Sequence, residues 1–131
     1  MAMGAVQGQA LVNAAIARPE PHLPTDTRGN PSVSDGGSFT LTSGVLDRDP
    51  IRMGTGAAAV NGALGGFVLG AAIEIPRGLR INVVSPGLLD VSVPRYGEWF
   101  PGHESVSSKR VGLAYAKSVE GAITGKVIIV Q

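Results

Sequence analysis

The residues best placed to do chemistry stand at two strand-like ends. Residues 38–43 read Ser-Phe-Thr-Leu-Thr-Ser between glycines, a short β-branched and aromatic run that predicts a strand ending at Ser43. Residues 80–85, Arg-Ile-Asn-Val-Val-Ser, predict a second strand, stopped by Pro86-Gly87 and followed by Leu88. In open α/β sheets, ligands lie beyond the carboxyl ends of the strands. A serine hydroxyl at one such end can hydrogen-bond a polar group of a ligand. A Pro-Gly turn at the next offers backbone without side-chain bulk, which a flat ring can approach. Both features also have ordinary uses: a serine bonded within its own strand end, and a turn that Pro-Gly closes in any protein.

Other chemistries find less support. The chain has no cysteine, which excludes disulfides, thiolate metal sites and cysteine nucleophiles. His22 and His103 each lie beside proline or glycine in loop-like sequence and read as surface histidines, with no metal-ligand spacing around them. Asp47, Asp49, Glu74, Asp90, Glu98 and Glu104 are scattered, so a paired-carboxylate hydrolase has no footing. No Gly-x-Ser-x-Gly elbow is present, against an α/β-hydrolase. Neither Tyr96 nor Tyr115 has a lysine four residues later, and Tyr115-Ala116-Lys117 points its two polar side chains apart on a helix. Eleven basic and ten acidic residues give a net charge of +1, without the clustered excess of a nucleic-acid binder.

Stepping outward to the elements, 131 residues make one domain at most, and 44% hydrophobic with 16% charged residues permits a core. Residues 54–75 predict a long helix stopped by Pro76 and Gly78. Its apolar stretch just reaches the length of a membrane span. Asn61, Glu74 and five interspersed glycines instead favour a buried helix, and no membrane partner is expected. Ser107-Ser108 offers an N-cap for a helix through Glu120, with Val111, Tyr115, Ser118 and Val119 at helical spacing. Residues 126–130, Lys-Val-Ile-Ile-Val, predict a strand of the kind buried on both faces of a parallel sheet. The order β-α-β-α-β indicates an α/β fold with right-handed crossovers. Between the second strand and the second helix, residues 88–105 read as irregular. There Tyr96-Gly97-Glu98-Trp99-Phe100-Pro101 can serve as a mobile lid or simply pack Trp99 and Phe100 on the sheet edge. Lys109, Arg110, Lys117 and Lys126 read as a solvated surface.

The first 36 residues differ in kind. Residues 1–17 suit a short helix, and the lack of a basic end argues against a secretory signal. Residues 18–36 carry four prolines among Asp, Asn, Ser and Gly, the composition of a linker. The expected organisation is a leader over 1–36 and one α/β unit over 37–131.

That unit resembles the C-terminal half of the short-chain dehydrogenase/reductase family. The likeness is carried by Gly37-Ser38-Phe39-Thr40-Leu41-Thr42-Ser43-Gly44, which resembles the strand ending in the family's catalytic serine. Gly62-Ala63-Leu64-Gly65-Gly66-Phe67-Val68 is similar to the active-site helix just past the catalytic lysine. Arg77-Gly78-Leu79-Arg80-Ile81-Asn82-Val83-Val84-Ser85-Pro86-Gly87 resembles the next strand and its turn, and Val119-Glu120-Gly121-Ala122-Ile123-Thr124-Gly125-Lys126-Val127 the closing turn and last strand. The resemblance implies a partial Rossmann-type, three-layer fold with a mostly parallel sheet. It also implies NAD or NADP as cofactor, a small-molecule carbonyl or alcohol substrate, and hydride transfer with proton transfer from a tyrosine that a lysine assists.

On the same resemblance, Pro86, Gly87 and Leu88 lie against the nicotinamide, and residues 96–101 fall in the substrate loop. Ala57 stands where the tyrosine belongs and Asn61 where the lysine belongs. Asn61 can bond a ribose hydroxyl but carries no charge to shift a pKa. Gly44 registers with the catalytic serine and Ser43 stands one place earlier; on a strand that displacement turns a side chain to the other face unless a bulge restores it.

Gly4-Ala5-Val6-Gln7-Gly8-Gln9-Ala10 imitates the family's glycine-rich phosphate loop. Three preceding residues and a 27-residue gap leave no room for its strand or the following β-α units, so the dinucleotide half is expected to be missing. The expectation is a weak or inactive oxidoreductase-family protein of the cytoplasm, or else a non-catalytic remnant. The unpaired sheet edge left by the missing half predicts homo-oligomerisation.

Overall fold

The computed structural model describes residues 33–131. The helix expected over 1–17, most of the linker, His22 and the phosphate-loop imitation lie outside the described residues.

β-Branched and apolar residues between glycine and proline stops produce three strands: β1 (Ser38–Thr42), β2 (Arg80–Pro86) and β3 (Lys126–Val130). They form one parallel sheet in the order β1-β2-β3, with Leu41 opposite Val83 and Val84 opposite Ile128. The sheet is α/β with helices on both faces, a partial Rossmann-type arrangement as expected. Helix α1 (Thr55–Glu74) ends just before Pro76, which cannot continue it. The turn that follows uses positive φ at Arg77 and Gly78. Helix α2 (Ser108–Glu120) begins where the Ser107 side chain accepts a hydrogen bond from the Arg110 amide.

The period-2 alternation of β2 divides the core. Ile81 and Val83 meet Leu64 and Val68 of α1, with Leu41 and Val127 alongside. Val84, on the opposite face, joins Val106, Val111, Ala114 and Val130 under α2. The two helices therefore lie on opposite faces while the chain steps twice in the same direction along the sheet. Two such crossovers have opposite hands, so they are not both right-handed as expected. The β2-to-β3 connection spans residues 87–125 and first passes over the strand ends, which lets α2 return along the far face.

Three further expectations are corrected. β3 is not buried on both faces, since Ile129 is 56% exposed, and among the described residues β2 is its one sheet neighbour. Helix α1 is not a buried helix. Ala57, Leu64 and Val68 face inward, but Leu69 and Ile73 are 58% and 87% exposed, because one sheet face covers only one stripe of a helix. It is long and apolar enough to span a membrane by length and composition alone. On α2, Val111 and Ser118 are buried as their spacing predicts, whereas Val119 faces outward. The irregular stretch contains short helical turns over Asp90–Ser92, Val93–Tyr96 and Gly97–Trp99. A bridge between Leu89 and Val106 closes it at its base.

Candidate functional site

Because all three strands are parallel, their carboxyl ends open on one side. Ser43 and Gly44 follow β1, Pro86 and Gly87 end β2, and Val130 ends β3. Backbone bonds carry the sheet to this rim: the Ser43 amide donates to Val84 O at 2.9 Å and the Gly87 amide to Val130 O at 2.8 Å.

Alternation along β1 sets which way its side chains face. Thr40 bonds Ser118 of α2 at 2.7 Å and Thr42 bonds the Tyr115 hydroxyl, so even positions look toward α2. Leu41 packs with the α1 cluster. Ser43 stands just past the last strand residue, Thr42. Its Oγ is buried with no hydrogen-bond partner among the described residues. Native structures leave few buried polar groups in that condition, and such groups call for an explanation.

Gly44, with extended backbone, sits under Asn61 of α1. A Cβ built on Gly44 would lie 3.3 Å from Asn61 Nδ2 and 3.8 Å from Pro86 O. Gly44, Asn61 and Pro86, drawn from three separate elements, thus converge on one corner of the rim, with Ser43 preceding Gly44 in the chain. Gly87 and Leu88 continue it, both buried. A Cβ on Gly87 would make only ordinary contacts, at 3.7 Å to Val106 Cγ1 and Val130 O. The corner combines a side-chain amide with backbone that carries no Cβ at two positions. Such a surface can receive a flat group bearing polar substituents.

No tyrosine reaches this corner. Ala57, one helical turn before Asn61, is buried at the sheet. Tyr115 spends its hydroxyl on Thr42, across the sheet from Asn61. Tyr96 stacks under Arg95, 5.2 Å from its ring centroid, in the connection beyond β2. Among the described residues no group of acidic or histidine side chains could hold a metal ion.

Three features were not legible in the sequence. His103 is not a surface histidine: its side chain is 8% exposed, stands edge-on to Phe100 and lies 3.6 Å from Asp49 Oδ2. It thereby touches the segment after β1 from the segment after β2. Trp99, beside Phe100, is 41% exposed rather than packed down. Arg48, to which no sequence motif points, reaches across the rim to Ser85.

No family model and no curated protein matches the chain. Solved structures do. The protein lin1944 from Listeria innocua is 47% identical, with a TM-score of 0.75 over 76% of this chain and 50% of its own. A small-chain dehydrogenase in complex with NADPH is 28% identical, with a TM-score of 0.61 over 75% of this chain and 51% of its own. Another small-chain dehydrogenase is 31% identical, with a TM-score of 0.59 over 75% of this chain and 45% of its own. This chain spans about half the length of each.

Proposed function

We propose that this chain, short-chain dehydrogenase/reductase-like in its fold and over about three quarters of its length, carries the nicotinamide-facing corner of an NAD(P)-linked oxidoreductase site. The observation that supports this most is the convergence of Gly44, Asn61 and the Pro86-Gly87 turn on one corner of the rim, next in the chain to Ser43, whose buried Oγ has no partner among the described residues. A nicotinamide fits that corner because it brings a flat face to backbone without Cβ. Asn61 offers its amide to a ribose hydroxyl, and Pro86, Gly87 and Leu88 form the surface against the ring. The cofactor would supply a hydride to a small carbonyl compound or take one from an alcohol. Ser43 would polarise the carbonyl oxygen.

Catalysis by this corner is weak or absent. Ala57 has no proton to give, and neutral Asn61 cannot lower the pKa of a donor as a cation would. The cofactor's pyrophosphate would need a glycine-rich turn at a helix N-terminus, and no such element occurs among the described residues. The likeness to a dehydrogenase holding NADPH supports the dinucleotide class. We place the protein in the cytoplasm, as a soluble member of this group.

Amide chemical-shift mapping of the full chain tests the reading. Added NADPH should shift Ser43, Gly44, Asn61, Gly87 and Leu88 together. Shifts scattered elsewhere, or none, would remove the assignment.

A second reading has its own support. Helix α1 leaves Leu69 and Ile73 in solvent, an apolar surface that association would cover. On this reading the chain is a non-catalytic module that acts as a homo-oligomer. Sedimentation at micromolar concentration separates the two: a dimer that does not bind NADPH supports the module alone.

A further inference from the structure

The rim of the sheet is held by a cation that neither the strand-ending motifs nor the family resemblance accounts for. Arg48 follows the 3-10 turn Val45–Asp47 and its side chain is 25% exposed. Its Nη1 donates to Ser85 Oγ at 2.6 Å, its Nη2 to Ser85 O at 3.0 Å and its Nε to Gln131 Oε1 at 3.1 Å. Ser85 Oγ donates onward to Gly44 O at 3.1 Å. One guanidinium thus joins the segment after β1 to the ends of β2 and β3, and grips the residue immediately before Pro86-Gly87.

We propose that Arg48 is a positioning residue: it fixes the Pro86-Gly87 turn against Gly44 and so sets the shape of the corner. Its 3.2 Å contact with Asp47 does not account for this placement, because Asp47 is its chain neighbour and ties it to no other element. The other three contacts do, since hydrogen bonds from a charged donor are the stronger kind. The guanidinium fork is also required. A lysine carries a single ammonium point, which cannot reach the Ser85 hydroxyl, the Ser85 carbonyl and Gln131 in this fixed geometry. The hold on the turn stands on the geometry alone; its consequence for a dinucleotide rests on the proposed function.

The test compares Arg48→Ala, Arg48→Lys and Ser85→Ala with the parent chain, all full length. Amide hydrogen exchange is followed at Gly87 and Ser43, whose N–H groups cross between strands at the rim, with Val68 in α1 as internal reference. Each substitution should speed exchange at Gly87 and Ser43 by roughly tenfold relative to Val68, the scale of one lost hydrogen bond to a charged group. Guanidinium ion at sub-denaturing concentration should restore part of the protection in Arg48→Ala, which a general loss of structure would not allow. If Arg48→Ala fails to fold, Arg48→Lys and Ser85→Ala carry the same comparison. Unchanged exchange at Gly87 and Ser43 overturns the proposal, and wild-type behaviour of Arg48→Lys overturns the requirement for the fork. Where the parent binds NADPH, the same variants should weaken it by a similar factor. A parent that does not bind NADPH, with Gly87 still released by the substitutions, sinks the functional reading and leaves the clamp standing.

Discussion

A hydroxyl sealed from water without a partner costs free energy, so Ser43 is a burden to the ligand-free fold unless something uses it. The expected consequence is a divergence between stability and binding. Ser43→Ala should leave the urea midpoint unchanged or raise stability by about 1 kcal/mol, since it removes an unsatisfied group. The same substitution should weaken NADPH binding. A clear loss of stability would show that Ser43 has a structural partner after all. Gly44 behaves oppositely. A methyl there meets the Asn61 amide at 3.3 Å, so Gly44→Ala should displace Asn61 and disturb the corner without touching the core. Ser43 was legible in the sequence as a strand-end hydroxyl, because the glycine stop fixes where β1 ends. Its burial was not legible, because that depends on what the rest of the chain packs around it. Arg48 and His103 were hidden for a related reason. Polar loop residues look solvated until the tertiary fold brings Ser85 or Asp49 to them.

At the level of elements, the strands and helices follow from local sequence, and their junctions are held by specific polar side chains. Arg80 is the clearest case. Its guanidinium reaches from the start of β2 to Ser118 O and Val119 O at 2.8 Å each, and to Gly121 O. These are the orphan carbonyls at the end of α2, where a cation also complements the helix dipole. Arg80→Ala should therefore destabilise the protein by about 1–3 kcal/mol in urea unfolding. Loss should be greatest in the amides of the last turn of α2, and a change below the scatter of the measurement would remove Arg80 from this role. Asn82 makes the companion link, donating to Ile123 O at 2.9 Å and accepting from the Lys126 amide at 3.1 Å. Helix boundaries were readable because Pro76 and Ser107 act locally. The exposure of β3 and of the outer side of α1 was not, since an apolar run reports what a segment can bury and not what is there to cover it.

The molecule as a whole leaves that cover unfilled among its described residues. Leu69 and Ile73 on α1 project well away from the sheet, which for a chain of this size favours self-association. Leu69→Glu with Ile73→Glu should turn a concentration-dependent dimer into a monomer in sedimentation velocity while leaving the circular dichroism spectrum in place. A parent that is already monomeric would contradict this. The chain spans about half the length of its solved relatives, and binding, rather than turnover, is the property to measure. Trp99 is the one tryptophan in the chain and stands in the connection beyond β2, where a reduced nicotinamide at the corner can take up its emission. Titration of NADPH, and separately NADH, into the full chain should give saturable quenching of Trp99 with sensitised cofactor fluorescence. Asn61→Ala and Gly87→Ala should weaken that signal. No energy transfer with either cofactor would contradict the account at its centre.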